Sequence, residues 1–228
     1  MTQQIDLREF IDENRVSPMQ KLVIFLCLMI VVVDGIDISI MGFVAPVIKQ
    51  EWGISTTDLA PVMSAALVGL ALGAVVSGPL ADKFGRKKLL IINLLGFGLF
   101  TLLAALSSGV TELMMYRFIA GLFMGGVMPQ AVTLVTDYSP MRLNGRMVTI
   151  ILSGFTIGAA IGGFLAAWII PHYNWHAMMI IGGVLPIILA VVAIFTLPES
   201  IGYKVLKQHP KPEIDAIINK MAPDFDTR

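Results

Sequence analysis

The sequence predicts an all-α membrane protein with six transmembrane helices, and three observations support that class. Hydrophobic residues make up 56% of the 228-residue chain and charged residues only 14%. The mean hydropathy is +0.81, and several apolar stretches are long enough to cross a bilayer. The net charge is zero, which argues against a nucleic-acid partner.

Hydropathy divides the chain into six spans of about 20 residues or slightly more, the length that a hydrocarbon core of about 30 Å requires. The predicted spans are 22–48, 60–81, 89–107, 112–137, 147–170 and 176–197. The first twenty residues mix acids with bases, unlike the basic start of a cleavable signal peptide. The predicted organisation is a polar tail (1–21), a six-helix bundle (22–197) and a second polar tail (198–228).

The distribution of positive charge predicts the orientation of the spans, because Lys and Arg in short loops stay on the cytoplasmic side. The chain contains 16 Lys and Arg residues. With the N-terminus inside, Lys49 falls in an outer loop and Arg117 falls within the fourth span, while all the others are cytoplasmic. Both termini are therefore expected to be cytoplasmic.

Two aspartates, Asp34 and Asp37, lie inside the apolar first span. A lipid-facing carboxylate costs several kcal/mol, so such residues usually handle protons or substrates. Their i, i+3 spacing places both on one helix face. A rise of about 1.5 Å per residue puts both aspartates and Arg117 at a similar depth. The guanidinium fork matches a carboxylate, so Arg117 is expected to hold an aspartate in one state and a substrate carboxylate in another.

Small residues at every fourth position in two spans predict close helix packing. These rows are Gly69, Gly73 and Ser77 in span two, and Gly154, Gly158 and Gly162 in span five. The rows lie three spans apart, as a 3+3 inverted repeat would place them.

The loop after span two, from Gly78 to Lys88, reads GPLADKFGRKK, with an acid and several bases around a turn that glycine permits. It resembles the G-x-L-x-D-R-x-G-R-K/R motif of the major facilitator superfamily, with Lys83 in place of the usual arginine. Arg117 and Gly121 in span four resemble the R-x3-G pattern of the same family. The resemblance implies a cytoplasmic gate that controls conformation, formed by Gly78, Asp82, Gly85, Arg86, Asp137 and Arg146.

Within this superfamily, the D-G-x-D motif at Asp34 to Asp37 and the Met128-Pro129-Gln130 segment look most like the aromatic acid:proton symporters. That resemblance implies import of benzoate, hydroxybenzoates, protocatechuate or muconate across the bacterial inner membrane. The candidate residues for proton coupling and substrate binding are Asp34, Asp37, Arg117 and Gln130. We expect an aspartate to take a proton from outside and release Arg117 for the anionic substrate.

Simpler interpretations stay open for each of these residues. Asp34 or Asp37 can form a static buried ion pair that fixes helix positions. Gln130 can bond to a neighbouring helix instead of a substrate. Other proton-coupled carriers, for sugars or drugs, share the Asp82 loop. The Gly-Pro motif often found in span five of drug antiporters is absent here, since Ala159 follows Gly158.

The resemblance implies twelve spans in two halves, whereas the sequence contains six. We expect a truncated product, a half-transporter that pairs with itself or with a separate second half, or a non-transporting membrane partner. The segment from Pro212 to Met221 has apolar residues at helical spacing and predicts an amphipathic helix on the inner surface.

No enzyme class is expected. The sequence has no P-loop for ATP, no metal-ligand spacing and no nucleophile with a matched base. We therefore expect no cofactor and no metal, and transport would draw its energy from an ion gradient.

Overall fold

The structure, a computed structural model, describes residues 17–200 and 203, and it contains six α-helices. They are α1 Pro18–Trp52, α2 Thr56–Phe84, α3 Arg86–Ala105, α4 Val110–Tyr138, α5 Met141–Tyr173 and α6 Trp175–Thr196. All six are long and apolar enough to cross a membrane, which confirms the predicted fold class. The amphipathic helix predicted between Pro212 and Met221 lies outside the described residues.

Most of the helices extend beyond the spans predicted from hydropathy, and at the start of α1 a polar cap accounts for the extra residues. In α1, the Ser17 backbone N–H donates to Gln20 Oε1 at 2.7 Å, and the Gln20 N–H donates to Ser17 Oγ at 3.3 Å. This capping box starts the helix four residues before the predicted boundary. Gly53, with φ +64°, closes the other end in the left-handed conformation that glycine favours.

The helices alternate in direction. We call the end of the bundle where α1, α3 and α5 begin the basic end, because it carries Lys21, Lys83, Arg86, Lys87, Lys88, Arg142 and Arg146. At this end the Gln20 amide donates to the Tyr138 carbonyl at 2.8 Å. At the opposite end the Trp175 indole N–H donates to Glu51 Oε2 at 2.8 Å. These two contacts fasten α1 to α4 at one end and to α6 at the other.

Glycines bring two pairs of helices into backbone contact. A Cβ on Gly73 of α2 would collide with the carbonyl oxygen of Leu122 on α4, and α4 glycines meet the α2 backbone in return. A Cβ on Gly158 of α5 would collide in the same way with Val32 on α1. The predicted small-residue rows therefore lie at helix contacts. If α1, α2 and α3 are matched in order with α4, α5 and α6, the α2–α4 contact corresponds to the α5–α1 contact. A 3+3 inverted repeat requires this correspondence.

The two larger apolar clusters of the bundle lie one towards each end, and a small third cluster is formed by Phe97, Ala120 and Met124. The cluster at the basic end includes Leu26, Leu94 and Leu134, and the cluster at the opposite end includes Ile40 and Met178. On α1 the first cluster ends at Val31 and the second begins at Val32. The midpoint of α1 is Gly35, so the D-G-x-D motif lies beside the boundary between the two clusters.

Candidate functional site

A buried ion pair between Asp37 and Arg117 lies in the middle of the bundle. Arg117 Nη1 donates to Asp37 Oδ1 at 3.0 Å and Nη2 donates to Oδ2 at 2.9 Å. The Arg117 side chain is 4% exposed and that of Asp37 1% exposed. The shared depth derived from the sequence predicted that these charges can meet, and the structure joins them in a bidentate contact.

Tight helix packing positions the pair. Gly35 has no side chain, so α1 approaches the α5 backbone at Phe155, where a Cβ would collide with the carbonyl oxygen. On α6, an ideal Cβ built on Gly182 would lie 3.6 Å from Asp37 Oδ1. Asp37 is therefore enclosed by backbone on the α6 side, while Arg117 enters from α4.

Burial makes the pair strongly interdependent. Each charge has lost its water, and it is tolerated because the partner neutralises it and supplies two hydrogen bonds. Arg117 also keeps one unused donor, since its Nε has no hydrogen-bond partner among the described residues. The guanidinium thus has capacity for a further acceptor beyond Asp37.

Asp34 is buried one turn before Asp37 but does not share its partner. Its side chain is 4% exposed, and its Oδ1 atom has no hydrogen-bond partner in the part of the chain that is described. Both hydrogen bonds that Arg117 makes to a carboxylate go to Asp37. A buried oxygen without a partner is expensive, so Asp34 is suited to hold a proton or to accept a bond from an incoming group.

Gln130 lies away from the ion pair. It follows Arg117 by 13 residues on α4, which corresponds to roughly 20 Å along the helix axis. It is 3% exposed, and its amide donates to the carbonyl oxygen of Ser77 on α2 at 3.3 Å. In this structure Gln130 bonds to a neighbouring helix, and its role in substrate binding stays a prediction.

A second Arg–Asp pair lies at the basic end. Arg86 Nη1 contacts Asp137 Oδ2 at 2.6 Å, and each side chain is 20% exposed. The Ser200 hydroxyl donates to the same carboxylate oxygen, and Arg86 also contacts Ser200 Oγ at 3.5 Å. The structure thus brings together two of the residues predicted for the gate and adds Ser200, which follows α6.

Glu199 completes this cluster at the start of α3, whose N-cap, Gly85, has no side chain to satisfy the first backbone N–H groups. The Lys87 N–H donates to Glu199 Oε1 at 2.8 Å, and the Tyr138 hydroxyl donates to the Glu199 carbonyl at 2.7 Å. A carboxylate at a helix N-terminus is favourable. Glu199 is not among the residues predicted for the gate. Two features of the sequence could have indicated this cap. Glu199 follows the last apolar span directly, and the start of α3 has no capping side chain of its own.

The remaining predicted gate residues are not among the hydrogen-bond partners of the Arg86–Asp137 pair. The side chains of Asp82 and Arg146 are exposed, and Gly78 lies on an exposed face of α2. Gly85 is buried with φ +99°, and a Cβ there would lie 2.6 Å from Glu199 Oε2. Glycine is therefore needed at position 85 for its backbone conformation and for the approach of Glu199.

Residues 27–217 match the model of the Major Facilitator Superfamily. The chain belongs to the major facilitator superfamily. It is therefore a multi-pass membrane protein of a transporter family, as the Asp82 loop and the R-x3-G pattern predicted. Among the described residues, no three His, Cys, Asp or Glu side chains are grouped as a metal ion would need.

Individual members of the superfamily resemble this chain closely in sequence. The 4-hydroxybenzoate transporter PcaK of Pseudomonas aeruginosa is 44% identical, over 97% of this chain and 49% of its own length. A gallate transporter of Pseudomonas putida is 41% identical over 97% of this chain, and a benzoate transport protein of Acinetobacter baylyi is 34% identical over 99%. The similarity to aromatic acid transporters predicted from the D-G-x-D motif is confirmed. The chain spans about half the length of these relatives, 49% in each case.

The fold is also that of solved members of the superfamily. The inward-open structure of the xylose transporter XylE from E. coli superimposes with a TM-score of 0.74 at 17% sequence identity. The match covers 90% of this chain and 53% of XylE. The six helices therefore correspond to about half of a complete superfamily fold.

Proposed function

We propose that this chain takes part in proton-coupled symport of an aromatic carboxylate, with Asp37 and Arg117 as the coupling pair. The observation that carries the proposal is the bidentate contact between these buried side chains, at 2.9 and 3.0 Å. A substrate carboxylate has the same shape and charge as the Asp37 carboxylate, so the two can compete for one guanidinium.

The proposed cycle exchanges these two carboxylates. A proton that enters from outside neutralises Asp37, which weakens its hold on Arg117. The substrate carboxylate then takes the two guanidinium donors. After the cavity switches, Asp37 loses its proton to the cytoplasm and recovers Arg117, and the displaced substrate leaves to the same side. Asp34 and Gln130 are proposed as further proton and substrate contacts. In the empty state the anion beside Arg117 is Asp37, and in the loaded state it is the substrate carboxylate. The buried guanidinium, which is costly without an anion, is therefore neutralised in both states.

The relatives support the choice of substrate class. Transporters named for 4-hydroxybenzoate, gallate and benzoate are 34 to 44% identical to this chain. All three compounds are aromatic rings that carry a carboxylate. We propose that an acid of this class is the substrate, and that it is carried without chemical change, since transport and not catalysis is the proposed activity.

The membrane orientation and the gate are part of the same proposal. The excess of Lys and Arg at the basic end supports a cytoplasmic location for that end and for both termini. The proposed membrane is the bacterial inner membrane. The Arg86–Asp137 pair, with Gly78, Asp82, Gly85 and Arg146 around it, is proposed to control opening on this side. A second six-helix half, from the rest of the same protein, from another chain or from a second copy, would complete the cavity.

The test is uptake by cells that express the chain, alone and fused to the second half of PcaK. Radiolabelled 4-hydroxybenzoate, gallate and benzoate are supplied with and without a protonophore, and the label is then identified by chromatography. We expect uptake of unchanged substrate that the protonophore abolishes. Asp37→Asn is expected to remove the dependence on the proton gradient, because the amide cannot carry a proton.

Glu112→Gln is the matched control, since it neutralises an exposed carboxylate on α4, the helix that carries Arg117. The amount of each variant in the membrane is measured in parallel. Proton-driven uptake that persists unchanged in Asp37→Asn would overturn the proposed role of Asp37. Recovery of the label in a modified compound would overturn transport without conversion.

A further inference from the structure

A residue outside the predicted set, Thr101 on α3, lies close to the same glycine of α6 as Asp37. An ideal Cβ built on Gly182 of α6 would lie 3.6 Å from Asp37 Oδ1 and 3.7 Å from Thr101 Cγ2. The missing side chain at Gly182 thus leaves one small region that both the carboxylate and the threonine face. The nearest neighbour of this point is the apolar Ile40 Cδ1 at 2.6 Å.

Close packing of α3 against α6 brings Thr101 there. A Cβ on Gly98 would lie 2.6 Å from the Gly183 carbonyl oxygen, and a Cβ on Gly183 would lie 2.8 Å from the Gly98 carbonyl oxygen. The two backbones therefore touch. Thr101 follows Gly98 by three residues and shares its helix face, which turns its side chain towards α6 and Asp37.

The Thr101 hydroxyl group is buried and unused. Thr101 is 0% exposed, and its Oγ1 has no hydrogen-bond partner among the residues the structure describes. Other threonines of the bundle, such as Thr149 and Thr196, donate to the carbonyl oxygen four residues earlier. A buried hydroxyl without a partner is unfavourable, so a bond made in another state of the protein would offset its cost.

Protonation of Asp37 creates the need for such a bond. When Arg117 leaves, a protonated carboxyl group has one donor and free acceptor positions to satisfy in an apolar enclosure. A hydroxyl group both donates and accepts. Rotation of the threonine χ1 by one staggered step brings Oγ1 to the place that Cγ2 now occupies near Gly182.

We propose that Thr101 is a positioning residue for Asp37, whose hydroxyl group hydrogen-bonds the protonated Asp37 carboxyl, directly or through one water, after Arg117 has released it. The inference rests on the proposed function, in which Asp37 is the proton carrier. The charged groups around Asp37 are Asp34 from its own helix and Arg117 from α4, while α6 contributes Gly182 and α5 contacts α1 at Gly35 through the Phe155 and Ala159 backbone. Thr101 therefore supplies a polar group on the side of Asp37 where the neighbouring residues of α6 and α1 are uncharged.

The decisive measurement is infrared spectroscopy of the chain in lipid vesicles during a pH titration. The carbonyl band of protonated Asp37 is the one lost in Asp37→Asn and kept in Asp34→Asn. In Thr101→Val, which keeps the shape but removes the hydroxyl, we expect this band to move to higher wavenumber, because a hydrogen bond lowers the stretching frequency. Thr101→Ser is expected to restore the original position, and Thr149→Val is the control at an exposed threonine.

Uptake by the fused transporter gives the second readout. Loss of one hydrogen bond to the protonated state, worth about 1 kcal/mol, should make half-maximal uptake require roughly fivefold more protons in Thr101→Val. An Asp37 band that stays in place in Thr101→Val, with an unchanged pH profile, would overturn the role of Thr101. If Asp37→Asn removes no band at all, the proposed function itself fails, and the two failures are thereby distinguished.

Discussion

The bundle contains two Arg–Asp pairs with the same chemistry and different surroundings. Arg117 and Asp37 are joined by two hydrogen bonds, with side chains 4% and 1% exposed. Arg86 and Asp137 make a single contact at 2.6 Å, with each side chain 20% exposed, and they share Ser200. Within residues 17–200 and 203, the first pair makes no further side-chain hydrogen bond, whereas the second belongs to a network with Ser200 and, through it, Glu199.

The difference shows how burial changes what an ion pair does. In the middle of the bundle neither charge can return to water, so an exchange of partners has to keep both charges neutralised. At the basic end, water and neighbouring hydroxyl groups can replace a lost partner, so this pair can open and close at modest cost. The central pair is thus suited to select an anion, and the end pair is suited to a reversible contact.

The largest expected effect comes from breaking the central pair. Arg117→Met leaves Asp37 buried without a counter-charge, and we expect the free energy of unfolding to fall by about 3–5 kcal/mol. Asp37→Asn is expected to cost a similar amount. In the double variant the free energy of unfolding should fall by clearly less than the sum of the two single losses, because both charges are then removed. Denaturation in detergent measures these values, and additive costs would show that the pair is not a unit.

A smaller effect is expected at the basic end. Asp137→Asn and Arg86→Gln should each lower the free energy of unfolding by only about 0.5–1.5 kcal/mol, since solvent and Ser200 compensate the remaining partner. The same denaturation assay applies, with Ser200→Ala as a control that keeps both charges. A cost as large as that of Arg117→Met would show that the two pairs do not differ as their exposure indicates.

The smallest effect is the response to salt. At about 1 M ionic strength the screening length falls to about 3 Å, which weakens exposed charge pairs and leaves buried ones largely unchanged. The difference in melting temperature between wild type and Asp137→Asn should therefore shrink as salt is added. The difference between wild type and Arg117→Met should stay constant. Equal shrinkage in both comparisons would contradict the burial of the central pair.

Much of the site could be predicted from the sequence, because charges within apolar spans are few and their depth in the membrane follows from the helical rise. That reasoning placed Arg117 at the level of Asp37, and the structure pairs them. It did not separate Asp37 from Asp34, which share a helix face. Only the direction from which α4 approaches α1 decides which of the two aspartates Arg117 reaches.

Other features lacked a local signal. Thr101 is an ordinary residue of an apolar span, and its place beside Asp37 depends on the contact of Gly98 with Gly183 between two distant helices. Gln130 was predicted either to contact a substrate or to bond a neighbouring helix, and only the structure shows that its amide donates to the Ser77 carbonyl on α2. Glu199 belongs to the predicted polar tail after the last span, yet its carboxylate caps α3. Each depends on which helices are neighbours.

The sequence by itself determined the class of the molecule and the ingredients of its site. Six long apolar spans, two buried aspartates, one buried arginine and the Asp82 loop are local features, and hydropathy, spacing and residue chemistry suffice to interpret them. The tertiary structure decided the pairings of Asp37 with Arg117 and of Arg86 with Asp137, and it placed Thr101 and Asp37 near the same glycine, Gly182. The physical reason is that a hydrogen bond or an ion pair depends on distances of a few ångströms between helices, and glycine contacts far apart in the chain set those distances.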